Sequence, residues 1–301
     1  MLVSDLSPWF IRTVAFVLGA AWGSFFNVAI YRWPLEMSVI KPPSHCPACG
    51  APVRAWQNVP ILGYVFLRGK AACCGVKLSI RYPLVELLGA VLALAIAELW
   101  VVWASPDRYM LAAVIEAGIY FTFVGGLLVA TFIDLDCMLI PDEVTLPGAA
   151  LGLVTVSLRQ EPGALDAALG AGLGYLGIQV LFVWGYEILF ARRGMGEGDS
   201  KLLMMIGAFL GWKGVLFSLM AASFQGVFAA AVLLLSGRSL KPKGAIEAQE
   251  PSQDEADPDQ TDTPKSKGRL KMPFGPFLAL AAVEYLFFGP TLVEAYFTML
   301  R

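Results

Sequence analysis

The chain has 301 residues, 57% hydrophobic and only 15% charged, with a mean hydropathy of +0.66. A soluble domain would carry about 25% charged residues, so the composition excludes a water-soluble globular protein and implies an all-α polytopic membrane protein. The net charge of −2 says little because the charges are segregated by loop, and the single His, His45, argues against Ser-His-Asp and Cys-His sites and against a His-Glu-x-x-His metal motif.

The start, Met1 to Trp9, lacks a basic n-region, so the first apolar run reads as a span rather than a removable signal peptide. That run is Phe10 to Ile30 and ends in Gly23-Ser24-Phe25-Phe26-Asn27. Small and amide residues there read as helix packing. A polar segment follows, Leu35 to Tyr82. It holds Cys46-Pro47-Ala48-Cys49-Gly50 and later Cys73-Cys74-Gly75, four of the five cysteines in one loop. Cysteine pairs followed by Gly resemble zinc knuckles, where tight turns aim thiolates at one ion. A segment with so little core gains from such a staple. The first pair is regular. The second is not, because adjacent cysteines seldom aim at one metal.

Pro83–Val102 reads as a second span and Tyr109–Ile133 as a third, whose Gly118, Gly125 and Gly126 suit close helix packing. Asp134-Leu135-Asp136-Cys137-Met138-Leu139-Ile140-Pro141-Asp142 reads as a short connection, since Pro141 disfavours helix at Ile140. Val144–Leu158 is a short fourth span, Arg159–Pro162 a turn, and Ala164–Phe190 a fifth span. Gly194-Met195-Gly196-Glu197-Gly198-Asp199-Ser200-Lys201 follows. Lys201–Trp212 is a short sixth segment and Val215–Ser236 a seventh. Residues 237–271 are rich in Pro, Gln, Ser, Asp, Glu and Lys and cannot bury enough surface to order themselves. Met272-Pro273-Phe274-Gly275-Pro276-Phe277 leads into an eighth span, Leu278–Met299.

The organisation expected is therefore a first transmembrane helix (1–34), a Cys-rich cytoplasmic domain (35–82), a transmembrane core (83–236), a disordered cytoplasmic loop (237–271) and a last helix (272–301). Placing the Cys-rich segment in the cytoplasm and alternating through eight spans puts seventeen basic residues inside and five outside. This is the asymmetry expected of membrane proteins. It also sets Asp134 and Asp199 on the same face.

Acids at a membrane boundary are costly and point to function. Two carboxylates held close share one proton, because both cannot ionise. One can then act as base on water while the other protonates the leaving group. Glycines ahead of Asp199, Gly196 and Gly198 among them, would leave room for an extended substrate. Spacing alone does not choose Asp134 over Asp136 or Asp142 as the partner of Asp199. An acid pair also suits a proton-coupled transporter, although both acids sit at loop edges and no inverted repeat is evident. A third reading is a zinc-knuckle scaffold with structural acids.

Gly196-Glu197-Gly198-Asp199 matches the Gly-x-Gly-Asp signature of membrane aspartic proteases. With Gly23 to Val28, the Cys46/Cys49 knuckle, Arg54 to Pro60, Ser79 to Glu86, Ile133 to Asp136 with Pro141-Asp142, and Pro273 to Pro276, the chain resembles the bacterial type IV prepilin peptidases over almost its whole length. These are bifunctional leader peptidases and N-methyltransferases. The resemblance implies catalytic aspartates at Asp134 and Asp199. It implies cleavage after Gly of a short basic leader, from prepilins and from pseudopilins of type II secretion, and methylation of the new N-terminus from S-adenosylmethionine. It also implies a multi-pass protein of the bacterial inner membrane, embedded in the lipid bilayer, with its active site facing the cytoplasm and no nucleic-acid partner. The family's second cysteine pair would place Cys at residue 71 and at Cys74. Here residue 71 is Ala71 and the extra cysteine is Cys73, which leaves the fourth zinc ligand beside Cys46, Cys49 and Cys74 open between Cys73 in its place, help from His45, and a weak site. No Gly-x-Gly-x-x-Gly nucleotide loop is present, and no residues are assigned to the methyl donor.

Overall fold

The computed structural model describes residues 2–46, 48–190, 196–236 and 272–299, with backbone only at 182, 186, 190 and 290–299. The expected disordered loop 237–271 lies outside the described residues, as do Gly194 and Met195. The fold is helical. Among the described residues the β pairing amounts to three isolated bridges. The principal helices are α1 (Pro8–Arg32), α2 (Leu62–Phe66), α3 (Arg81–Ala97), α4 (Met110–Cys137), α5 (Asp142–Val154), α6 (Ala164–Gly172), α7 (Tyr186–Phe190), α8 (Glu197–Leu235) and α9 (Gly275–Met299).

Five helical stretches are long and apolar enough to cross a membrane: Pro8–Leu35, Arg81–Val102, Met110–Cys137, Ala164–Leu189 and Glu197–Leu235. The other expected spans are shorter or merged. Helix α5 has 13 residues, about 20 Å of rise against a hydrocarbon core of about 30 Å. The last helix, α9, has 25 residues, of which Gly275–Gly289 is the apolar stretch whose side chains are described. The sixth and seventh segments run into one 39-residue helix, α8, broken at Gly211 with φ 71° and ψ −178°.

That break has a partner. A non-helical residue leaves the preceding carbonyls without their usual N–H donors. Arg159, buried, donates to the carbonyls of Phe209 at 2.9 Å and Ala208 at 3.1 Å, and also to Gly152. Its guanidinium lies 5.0 Å from the centre of the Phe209 ring. The turn residue of the sequence thus closes a hole in another helix.

Helix α4 is central and packs on α1, α3, α5 and α9. Phe123, Leu127 and Ile133 are fully buried there, and Phe123 stacks on Phe209 at 4.4 Å. Helices α1 and α3 cross through glycine: a Cβ at Gly19 would lie 2.6 Å from the Gly89 carbonyl oxygen, and one at Gly23 would lie 2.6 Å from the Glu86 Cα. Asn27 completes the contact by donating to the Tyr82 carbonyl at 3.0 Å. The packing reading of this stretch therefore holds. On α4, Gly125 makes room for the Phe26 ring and Gly126 for Val144, but a Cβ at Gly118 would meet nothing, so that glycine serves no helix crossing among the described residues.

Candidate active site and metal cluster

Helix α4 runs four residues into the expected connection and ends at Cys137, capped by Met138 in the left-handed region at φ 53°. Asp134 and Asp136 are thus both helical. Two residues turn about 200° around a helix, so they face opposite ways. Asp134 points inward and is 5% exposed. Asp136 points to Arg81, with which it forms an ion pair. The Arg81 guanidinium also donates to the Phe132 carbonyl at 3.2 Å and lies over the Phe132 ring. Asp142, in the first turn of α5, is held by Lys201 at 2.6 Å. Two of the four candidate acids are therefore neutralised by cations. Among the described residues no basic side chain pairs with Asp134 or Asp199, and Ile140 lies against both Gly275, beside Asp134, and Gly198, beside Asp199.

Two helix N-termini converge on this pair. Asp199 lies in the first turn of α8, whose N-cap is Gly196. Asp134 accepts the N–H of Gly275, the first residue of α9, at 3.0 Å. Helix N-termini carry partial positive charge that favours anions, so backbone replaces the missing cations. Gly275 is there because nothing larger fits: a Cβ would sit 2.6 Å from Asp134 Oδ2 and 3.1 Å from Ile140 Cδ1. Gly198 is likewise tight, with a Cβ reaching 3.0 Å from Ile140 Cβ. Its missing side chain admits the α4–α5 connection rather than open space for a substrate. A Cβ on Gly196 would make only ordinary contact with Asp199, at 3.5 Å. Ser200, fully buried, donates to Gln179 at 3.2 Å. Residue-by-residue reading gave no role to Gly275. The signal was a glycine between two prolines, a backbone donor kept where Pro would have removed one.

The cysteine segment folds as two matched turns. The first is closed by a bridge between His45 and Pro52, the second by one between Lys70 and Lys77. In the first, Gly50 N–H donates to Cys46 at 2.9 Å; in the second, Gly75 N–H donates to Ala71 at 2.8 Å. Gly50 and Gly75 have φ of 70° and 72°, which glycine adopts without strain. By this register Ala71 occupies the place of Cys46, and Cys74 that of Cys49. Cys73 nevertheless reaches in. Its sulfur is 3.3 Å from that of Cys49 and 3.9 Å from that of Cys74, while Cys46 and Cys74 are 3.7 Å apart. All four sulfurs lie within 4.8 Å of one another. Adjacent cysteines therefore do aim at one point. His45 is outside the cluster, near the Pro43 carbonyl. A tetrahedral ion with metal–sulfur bonds of about 2.3 Å sets its sulfurs about 3.8 Å apart, so the four thiols fit a bound metal. Backbone N–H groups of Ala48 and Cys49 hold the Cys46 thiol down at about 6, whereas the Cys49 and Cys46 sulfurs push Cys73 up to about 12. Four thiols competing for one negative charge are relieved by a divalent cation.

Fold and site together define a polytopic helical membrane protein with an acid pair left without cations and a four-thiol cluster. Residues 17–100 match the bacterial peptidase A24 N-terminal domain, and residues 121–231 match the type IV leader peptidase family. The chain belongs to the type IV leader peptidase family. It is 33% identical to a prepilin leader peptidase/N-methyltransferase of Myxococcus xanthus, over 92% of this chain and 90% of the relative. It is 32% identical to one of Aeromonas hydrophila over 97% and 95%, and 37% identical to one of Neisseria gonorrhoeae over 77% and 85%. No solved structure matches the chain.

Proposed function

We propose that the chain removes the basic leader from type IV prepilins and pseudopilins and N-methylates the new N-terminus, with Asp134 and Asp199 as the proteolytic acids. The activities follow from the family and from relatives named for both. The assignment of the acids rests on one observation. Asp136 and Asp142 are each committed to a cation, and Asp134 and Asp199 are not. One carboxylate takes a proton from water as its oxygen attacks the scissile carbonyl. The other gives its proton to the amide nitrogen as the C–N bond breaks. One water is consumed and the pair is left with one proton.

The remaining assignments follow the same reading. The excess of basic residues supports a cytoplasmic active face, which is where a basic leader would lie, and a place in the bacterial inner membrane. The break at Gly211 supports counting α8 as two crossings, and so supports eight spans in all. The domain division is a first helix (1–34), the Cys-rich unit (35–82), the protease core (83–236), the loop (237–271) and the last helix (272–301). Cys46, Cys49, Cys73 and Cys74 would hold zinc, a structural ion that staples a segment of little core. S-adenosylmethionine supplies an electrophilic methyl group on a sulfonium. The partners are prepilins and lipid, with no nucleic acid. Nothing in the comparisons favours a proton-coupled transporter.

The test uses purified protein and a synthetic prepilin, read by mass with and without S-adenosylmethionine. Wild type should lose the leader and gain one methyl group. Asp134→Asn and Asp199→Asn should abolish cleavage, while Asp136→Asn and Asp142→Asn should retain it. Cleavage surviving Asp199→Asn would sink the assignment.

A further inference from the structure

Between the cysteine segment and the adjoining ends of α1 and α3 lies a cavity of about 340 Å³. Its helical floor includes Ser24 and Asn27 of α1 and Tyr82 and Glu86 of α3, and its roof includes Gln57, Asn58 and Tyr64. Glu86 is 9% exposed. Among the described residues no cation pairs with it. One oxygen accepts the Ile61 N–H at 2.7 Å, and Ser24 is a second neighbour. Ile61 has φ 62° and ψ −53°, which a β-branched residue adopts only under constraint. A carboxylate has about four acceptor positions, so capacity remains on the cavity side. Arg32 also lines the cavity, but its guanidinium is committed to the carbonyls of Ser38 and Pro42, and a buried acid with tyrosine rings around it favours a cationic guest. The volume lies in the range of small-ligand sites, about 300–1,000 Å³, and the amides of Asn27, Gln57 and Asn58 offer donors and acceptors to a heterocycle.

We infer that this cavity is the methyl-donor site, taking a nucleoside sulfonium, with Glu86 as the group that pairs with the positive sulfur. The inference rests on the methyl-transfer reading above. Tyr82 and Glu86 line the cavity from the start of α3, where the neighbouring Arg81 pairs with Asp136 of α4.

Binding is measured directly, by calorimetry on the purified full-length protein, with S-adenosylmethionine and with S-adenosylhomocysteine. The two differ by the methyl group and the charge on sulfur. Glu86→Gln should weaken S-adenosylmethionine roughly ten- to a hundredfold and leave S-adenosylhomocysteine nearly unchanged. The retained binding of the neutral ligand reports that the variant is folded. Val28→Trp, which fills the cavity from α1, should abolish binding of both. If wild type methylates prepilin and neither variant alters either affinity, the site is elsewhere and the inference is overturned while the methyl-transfer reading stands. Equal loss of both ligands in Glu86→Gln overturns the pairing with sulfur. A wild type that neither methylates nor binds overturns the reading and the inference together.

Discussion

Gly275→Ala is the sharpest test of the site, because it removes no catalytic atom. The Gly275 N–H donates to Asp134 Oδ2 at 3.0 Å, and a Cβ at that residue would stand 2.6 Å from the same oxygen. The alanine cannot keep the hydrogen bond without displacing the carboxylate or the start of α9. A hydrogen bond to a charged group contributes about 1.5–3 kcal/mol, and on the proposed assignment this one orients an acid that meets water at a defined angle. If the whole of that loss falls on the transition state, leader cleavage slows roughly ten- to a hundredfold. The assay is single-turnover cleavage of a synthetic prepilin, followed by mass, with metal content and thermal stability measured on the same preparation. The donor cavity lies against α1 and α3, away from α9, so methyl-donor affinity should stay at the wild-type value. Cleavage at the wild-type rate by a stable Gly275→Ala would refute the view that α9 positions Asp134.

Two other residues give independent tests. Cys73→Ser should lower bound zinc, counted by elemental analysis, and adding Ala71→Cys to that variant should restore it, because Ala71 occupies the ligand position of the second turn; metal retained in the single variant would remove Cys73 from the cluster. Arg159→Met leaves the carbonyls of Ala208 and Phe209 without a donor and should cost on the order of 3 kcal/mol, seen as a lower melting temperature with unchanged cleavage per folded molecule; an unaltered melting temperature would mean that the Gly211 break is satisfied by other groups.

What the chain discloses by reading alone divides along a physical line. Apolar runs locate the helices because burial in lipid is decided residue by residue, and the ends of α1, α3 and α4 fall within about five residues of the expected spans. As candidates, Asp134, Asp199 and the first cysteine pair are also legible, since an acid at a membrane boundary and a Cys-x-x-Cys-Gly turn are local features. Pairings are not local. Asp136 and Asp142 compete with Asp134 until Arg81 and Lys201 are seen to hold them, and each of those cations comes from a distant helix. The same holds for Arg159, which reads as part of a turn and proves to repair α8. Cys73 is not legible because adjacency on the chain suggests divergence in space, whereas the tight turn at Gly75 brings both sulfurs round. The end of α4 differs from the expected one because Pro141 disfavours helix only at Ile140, which leaves the segment before it free to continue to Cys137.

The pairings of Asp136 and Asp142 carry a consequence for how the acid pair can exist in an apolar setting. Four carboxylates at one end of a bundle would repel one another and would each demand desolvation. Arg81 and Lys201 remove two of them from that competition and in doing so tie α3 to α4 and α8 to α5. The remaining two are stabilised by backbone, the N-termini of α8 and α9, which are fixed dipoles that cannot donate a full charge or leave with a substrate. A cation beside Asp134 would hold it ionised and end the sharing of a proton on which the proposed hydrolysis depends. Backbone donors avoid that outcome, and only glycine at residue 275 lets one approach closely enough.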